Sequence, residues 1–363
     1  MKLSLDQVER EVARLRQDEA RTTGAPRMEL LTLVALVSEP SLFERAMRVV
    51  SDVADIHPSR TIVALWKEGA PPAITADVAL HRPTPGGPSR GDAIVLEAVG
   101  AAREWLPENA ARLALPDLPM CVWWAGDLPD YDDLFDRMVV GADLVVVDSG
   151  EMDLRDLEKL SGITTRSGQS SAFADLTWIR LQWLQELIAR FFDDEAGRAQ
   201  LRRVEHVTIE FSPRPDEKDV ASTIAGLLFG WIARALGLRP EGVRWTRGET
   251  WSEASFERLV ARFEQRARPD VPQGDILRIR MECADGVRFD IERQDDPQVF
   301  RWSREMPGAS TPPQLLRVEP VAEAALLVRT LERPKRDRLL DASLQIASRI
   351  LRPVAPRLSM LPP

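Results

Sequence analysis

The chain has 363 residues, 44% of them hydrophobic and 29% charged, with a formal net charge of −9. That length is too great for one ordinary core and points to two domains, and the negative balance excludes a general nucleic-acid binder, which needs a basic face against phosphates. No apolar run approaches the ~20 residues that span a bilayer, and Cys121 and Cys283 have no paired spacing for a metal or a disulfide framework.

In chain order, Ser4 and Gln7 are spaced as a capping box, with Leu3 and Val8 as the hydrophobic staple. They open a helix over 4–20 whose narrow stripe, Leu5, Val8, Val12 and Leu15, suits docking in cis or on a partner. The start lacks an export signal, so a cytoplasmic location is expected. A turn over Arg21 to Pro26 leads to a strand from Met28 to Val37 and a helix from Pro40 to Asp55. Leu42, Ala46, Val49, Val50 and Val53 face inward on that helix, and Thr61 to Trp66 completes a β-α-β unit.

Ile74 to Arg82 and Asp92 to Gly100 are strand-like, and the loop from Pro83 to Gly91 joins them as an antiparallel extension. Its three prolines lack donor N–H groups, and it matches neither a Walker pattern nor the dinucleotide fingerprint. A helix over Ala101 to Leu113 precedes the central stretch, Leu115 to Phe192. There a proline-bounded strand around Met120 to Ala125 and the β-branched run Ala142 to Gly150 lead to an amphipathic helix from Asp175, its N-cap, to Phe192. Unbroken apolar strands alternating with helices indicate a parallel sheet covered on both faces.

The polar run Asp193 to Gln200 marks a domain boundary. Beyond it we expect a strand from Val204 to Phe211, a helix from Lys218 to Leu236, a strand from Val243 to Arg247 and a helix from Ser255 to Arg266. A hairpin follows, Asp275 to Cys283 with Val287 to Arg293, turning at Ala284-Asp285-Gly286. A strand from Val299 to Arg304 and a helix from Arg336 to Leu351 come before a proline-rich end, Pro353 to Pro363, expected to fray. The fold expected is thus α/β. A mostly parallel, Rossmann-like sheet with an antiparallel extension occupies residues 1–200, and a smaller α+β domain occupies 201–363.

His57, His81 and His206 stand apart, with no metal-ligand spacing, and there is no Gly-x-Ser-x-Gly elbow. The candidate site residues lie at strand ends and on the long helix. Trp124 and Asp127 end one strand, Asp148 and Ser149 another, where an open α/β sheet binds its ligands, so the four are expected to line a pocket for a small molecule or a partner. The alternative is that Asp148 or Ser149 caps a helix starting near Asp153 and the tryptophans pack beneath it. Trp178 and Arg180 have the composition of an interface anchor, against the alternative that the indole covers a neighbouring helix. Five lysines make arginine the dominant cation.

Several long words carry a resemblance. Leu115-Pro-Asp-Leu-Pro119, Trp123-Trp124-Ala-Gly126, Val147-Asp-Ser149, Asp175-Leu-Thr-Trp-Ile-Arg-Leu181 and Phe191-Phe-Asp193 resemble the signature of the OpcA family, the glucose-6-phosphate dehydrogenase assembly proteins. His57-Pro-Ser-Arg60 and Gly226-Leu-Leu-Phe-Gly-Trp231 extend the match over residues 27 to 237. The resemblance implies a non-catalytic subunit without a cofactor. Such a subunit binds glucose-6-phosphate dehydrogenase, favours its active oligomer and raises its affinity for substrate, gating the oxidative pentose phosphate pathway. Two other functions compete: a sensor that binds a sugar phosphate, and a sugar-phosphate or nucleotide-sugar enzyme using the carboxyl edge of the sheet. Cyanobacterial members are associated with redox control through C-terminal cysteines, and here none follows Cys283.

Overall fold

The structure is a computed structural model that describes residues 2–24, 29–37, 39–82, 89–128, 133–165, 171–214, 221–310, 312–332 and 336–351. The end of the expected turn at 25–26, most of the loop 83–91, the helix start at 218–220, residues 333–335 and the proline-rich end lie outside the described residues.

In chain order the elements are α1 (Leu5–Thr23), β1 (Leu31–Val37), α2 (Phe43–Ile56), β2 (Ser59–Lys67), β3 (Ala73–His81), β4 (Gly91–Val99), α3 (Leu106–Leu113), β5 (Met120–Ala125), α4 (Leu134–Val140), β6 (Leu144–Val147), α5 (Asp156–Thr165), β7 (Ala172–Asp175) and α6 (Leu176–Arg190). They continue with α7 (Glu195–Leu201), β8 (Val204–Phe211), α8 (Thr223–Ala235), β9 (Arg244–Arg247), β10 (Trp251–Ser255), β11 (Val260–Gln265), β12 (Ile276–Cys283), β13 (Arg288–Arg293), β14 (Val299–Met306), β15 (Ala309–Ser310), β16 (Gln314–Arg317), α9 (Glu323–Glu332) and α10 (Arg338–Ile350). Among the described residues no helix is long and apolar enough to cross a membrane.

Two compact units interleave along the chain. The first comprises residues 1–151, 167–179 and 321–337, the second 152–166, 180–320 and 338–363. This corrects the single boundary expected at 200/201. The apolar residues of α9, Leu326, Leu327 and Leu331 among them, complete the core of the first unit, so a late segment belongs with the early ones.

The first unit is built on a seven-stranded sheet in the order β3-β4-β2-β1-β5-β6-β7. From β4 to β7 all neighbours are parallel, and β3 runs antiparallel to β4 at the edge. This is the doubly wound order, with its switch point at β1. Every residue of β1 is buried because helices cover both faces, which is why its sequence is continuously apolar rather than alternating. Leu33, Ala35, Trp123 and Val146 face a core shared with α2 and α9. Trp124 packs the other way, edge-on to Phe135 of α4 with ring centroids 5.0 Å apart, as alternation along a strand requires. Strand β7 escapes a sequence reading because four residues, Ala172 to Asp175, are too few to show a period.

Helix α1 docks in cis. Val8 and Val12 are buried, and Leu3 bridges to Ala76 of β3. Arg60, 3% exposed, then fastens the helix electrostatically. Its guanidinium donates to Glu9 at 2.6 Å, to Asp92 at 3.2 Å and to the Leu113 carbonyl at 2.8 Å. Arg16 reaches the same Asp92 carboxylate from α1. The word His57-Pro-Ser-Arg60 thus supplies the bolt between helix and sheet.

The second unit carries a larger sheet than the small domain expected from sequence. Nine strands run in the order β15-β14-β13-β12-β8-β11-β10-β9, with β16 pairing β14. Only β8 and β11 pair in parallel. The helix expected over Ser255 to Arg266 is the end of β10, a turn closed by the Phe256 N–H on the Leu259 carbonyl, and β11. Phe256, Leu259, Val260 and Phe263 have helical spacing, but Leu259, Ala261 and Phe263 also alternate, and pairing with β8 selects the strand.

Helices cover one face of this sheet. Phe229 of α8 meets Phe263 edge-on at 5.4 Å, and the Trp245 indole donates to the Ile350 carbonyl of α10 at 3.0 Å. Phe191 stacks on Trp302, with centroids 4.6 Å apart and planes 9° from parallel. Gly226 and Gly230 allow α10 to cross α8 closely. A Cβ on Gly230 would lie 2.3 Å from the Ser343 carbonyl oxygen. The word Gly226-Leu-Leu-Phe-Gly-Trp231 is therefore a helix-crossing motif.

Candidate functional site

At the carboxyl edge of the first sheet two of the family-like words meet. Val147-Asp-Ser149 ends β6, and Asp175-Leu-Thr177 passes from β7 into α6. The Thr177 hydroxyl donates to Asp148 at 2.6 Å and accepts from the Gly150 N–H at 2.8 Å. Asp175 Oδ1 accepts the N–H groups of Ser149 at 3.1 Å and of Thr177 at 3.0 Å, the second being the N-cap bond expected for this helix. Burial is the main cause that pushes the Asp175 carboxyl up to about 6. The Ser149 and Thr177 donors pull against that shift, and the charge of Asp148 adds to it.

A third carboxylate follows within one turn. Glu151 is raised by burial and by Asp148, and lowered by Arg45. Arg45, on the first turns of α2, is bidentate to Glu323 of α9 at 2.7 Å for each bond and contacts Glu151 at 2.5 Å. Burial opposes its charge, but the two carboxylates outweigh burial and hold its pKa above the ordinary value. The cluster can hold or exchange a proton. Asp175 is 1% exposed, however, and its contacts tie β6, β7 and the start of α6 together, so its direct effect is a latch. Among the described residues no group of three or more His, Cys, Asp or Glu is placed to hold a metal ion.

The other sequence candidates fall in different places. Trp124 is fully buried and donates to the Asp127 carbonyl at 3.0 Å, with the Asp127 side chain exposed. Asp148 and Ser149 bond to Thr177 and Asp175. Asp148 accepts from Thr177, and at the start of α5 the Asp156 carboxylate accepts the Asp153 N–H. Trp178 is 4% exposed and donates to Asp337 at 2.8 Å, which corrects its reading as a surface anchor. Arg180 is half-buried in the second unit, where its charge lowers Asp275 against a stronger rise from burial. Of the ten tryptophans only Trp105 is exposed.

At the switch point, the connection from β1 to α2 contains Glu39 and Pro40 and no glycine. A pyrophosphate at this position of a doubly wound sheet needs glycine for close backbone approach and free N–H groups as donors. Here proline removes one donor, and the Glu39 carboxylate, which accepts the Ser41 hydroxyl, opposes an anion.

A feature missed from sequence covers the face of the second sheet on which no helix lies among the described residues. Paired registers place Arg301, Glu292, Arg278, Glu210, Glu264 and Trp251 in one row across six strands. The next row is Ser303, Asp290, Arg280, Thr208, Arg262 and Glu253. Arg278 is bidentate to Asp290 at 2.7 and 2.9 Å, Arg301 contacts Glu292 at 2.6 Å, and Arg262 lies over the Trp251 ring at 4.4 Å. Alternation of charged with apolar residues along β12 and β13, Arg278, Arg280 and Glu282 on one and Arg288, Asp290 and Glu292 on the other, was the available signal. Its alignment across strands needs the register.

Comparison with known proteins gives a consistent picture. The N-terminal domain model of the glucose-6-phosphate dehydrogenase subunit OpcA matches residues 50–161, and the C-terminal domain model matches 171–344. A Nostoc punctiforme protein named for the OxPP cycle as OpcA is 29% identical over 205 residues, 53% of this chain and 41% of that one. A Synechococcus elongatus protein of the same name is 27% identical over 342 residues, 88% of this chain and 74% of that one. The match therefore spans less than half of the Nostoc relative. An oxidoreductase from Sinorhizobium meliloti shares the fold, with a TM-score of 0.51 at 12% identity over 89% of this chain and 95% of that one.

Proposed function

This chain belongs to the OpcA family of glucose-6-phosphate dehydrogenase subunits, and on that premise we propose that it is a non-catalytic subunit that binds the dehydrogenase and favours its active oligomer. The observation that carries the reading is the match of both family domain models, in order, along the two halves of the chain. The β1–α2 connection supports it, since a glycine-free link bearing Glu39 and Pro40 lacks the means to seat a dinucleotide on a sheet that otherwise has the doubly wound order.

The mechanism is differential affinity. A subunit that binds the active conformer of an enzyme better than the inactive one shifts the population without doing chemistry. A tenfold shift needs only about 1.4 kcal/mol of difference. The test is to titrate the purified chain into the dehydrogenase of the same cell at low glucose 6-phosphate and to follow both rate and co-elution. We expect a raised rate, a lowered apparent KM and a shared elution peak. Absence of a complex at about micromolar concentration with an unchanged rate sinks the proposal, and so does turnover of a sugar phosphate by the chain alone.

A further inference from the structure

We propose that the helix-free face of the second unit's sheet is the surface on which two copies of this chain pair. The face is complementary to itself. A two-fold axis running along the strands between β12 and β8 sets Arg278 opposite Glu210, Asp290 opposite Arg262 and Arg301 opposite Trp251, each meeting occurring twice by symmetry. Aligned sheets pack face to face in this way with their strands about 30° apart.

The same operation brings Glu292 over Glu264, a like-charged meeting that limits the affinity. The side chains are already drawn partly out of water: Asp290 is 7%, Glu210 13% and Arg278 18% exposed. Covering them therefore adds less desolvation than covering freely solvated charges does. Six strands at about 4.8 Å spacing and roughly 20 Å of strand length offer on the order of 600 Å² per copy, about 1,200 Å² for a pair, the lower end of specific interfaces. A partner of uniform charge does not fit rows that carry both signs, whereas a second copy does.

Sedimentation equilibrium of the full chain tests this. A dimer with a dissociation constant on the order of micromolar is expected, weakened severalfold by raising salt from about 0.1 to 0.5 M. Arg262→Glu sets two carboxylates against each other across the interface and is expected to give a folded monomer. Glu264→Gln removes the unfavourable meeting and is expected to tighten the dimer, and this near-isosteric variant decides the matter if Arg262→Glu does not fold. A wild-type chain monomeric at about 100 micromolar overturns the proposal, as does a dimer indifferent to both substitutions.

Discussion

The two sheets of this protein handle charge in opposite ways. In the first, helices lie on both faces and the strands are apolar throughout, so the few charges inside, Arg60 with Asp92 and Asp148 with Asp175, are held by hydrogen bonds from their neighbours, Asp175 through Oδ1 alone. In the second, helices lie on one face and the other is a chequer of arginine and carboxylate. Charge in the covered sheet acts as a fastener, because an unpaired ion there has no water to turn to. On the open face the same residue types form a recognition pattern, since water can replace any single partner.

The contrast breaks most sharply at Arg60. Arg60→Ala takes one guanidinium away from Asp92, which is fully buried, and removes the Arg60–Glu9 tie between α1 and the sheet. A loss of about 3 to 5 kcal/mol is expected in urea unfolding, as for breaking a buried pair. A loss under about 1 kcal/mol would place this pair in the class of surface ion pairs.

Asp175 sharpens the contrast through pH. Its folded-state pKa of about 6 lies above the ordinary aspartate value, so the folded protein holds this proton more tightly than the unfolded chain does. The resulting stability is present in full below about pH 4 and is lost as pH rises through about 6. On the order of 3 kcal/mol of pH-dependent stability over that window is expected to disappear in Asp175→Asn, measured by thermal unfolding at a series of pH values. Equal slopes in the two proteins would contradict the assignment.

Gly230→Ala tests packing rather than charge in the second unit. The added methyl meets a backbone carbonyl at 2.3 Å, and α10 must shift to admit it. A destabilisation of about 1 to 3 kcal/mol is expected in the same unfolding assay. The smallest effect belongs to the open face. Arg288, 44% exposed and paired with Glu282 and Glu305, is expected to cost under about 1 kcal/mol of stability when replaced by alanine. A large loss there would mean that the open sheet depends on its charges as the covered one does.

The sequence by itself determined the parts governed by local period and local chemistry. The unbroken runs in β1, β5 and β6 revealed a parallel sheet covered on both sides. Asp175 was legible as an N-cap, and Ala284-Asp285-Gly286 as the turn of a hairpin, with Gly286 at a φ of +81°. Tertiary structure decided whatever depends on partners distant in the chain. Trp178 is buried because Asp337, 159 residues later, accepts its indole N–H, and α9 joins the first unit through Arg45, 278 residues before Glu323. Leu259 to Phe263 satisfied helix and strand periods alike until β8 supplied its neighbour. Periodicity records how one segment meets its immediate surroundings, and it holds no information about which remote segment provides them.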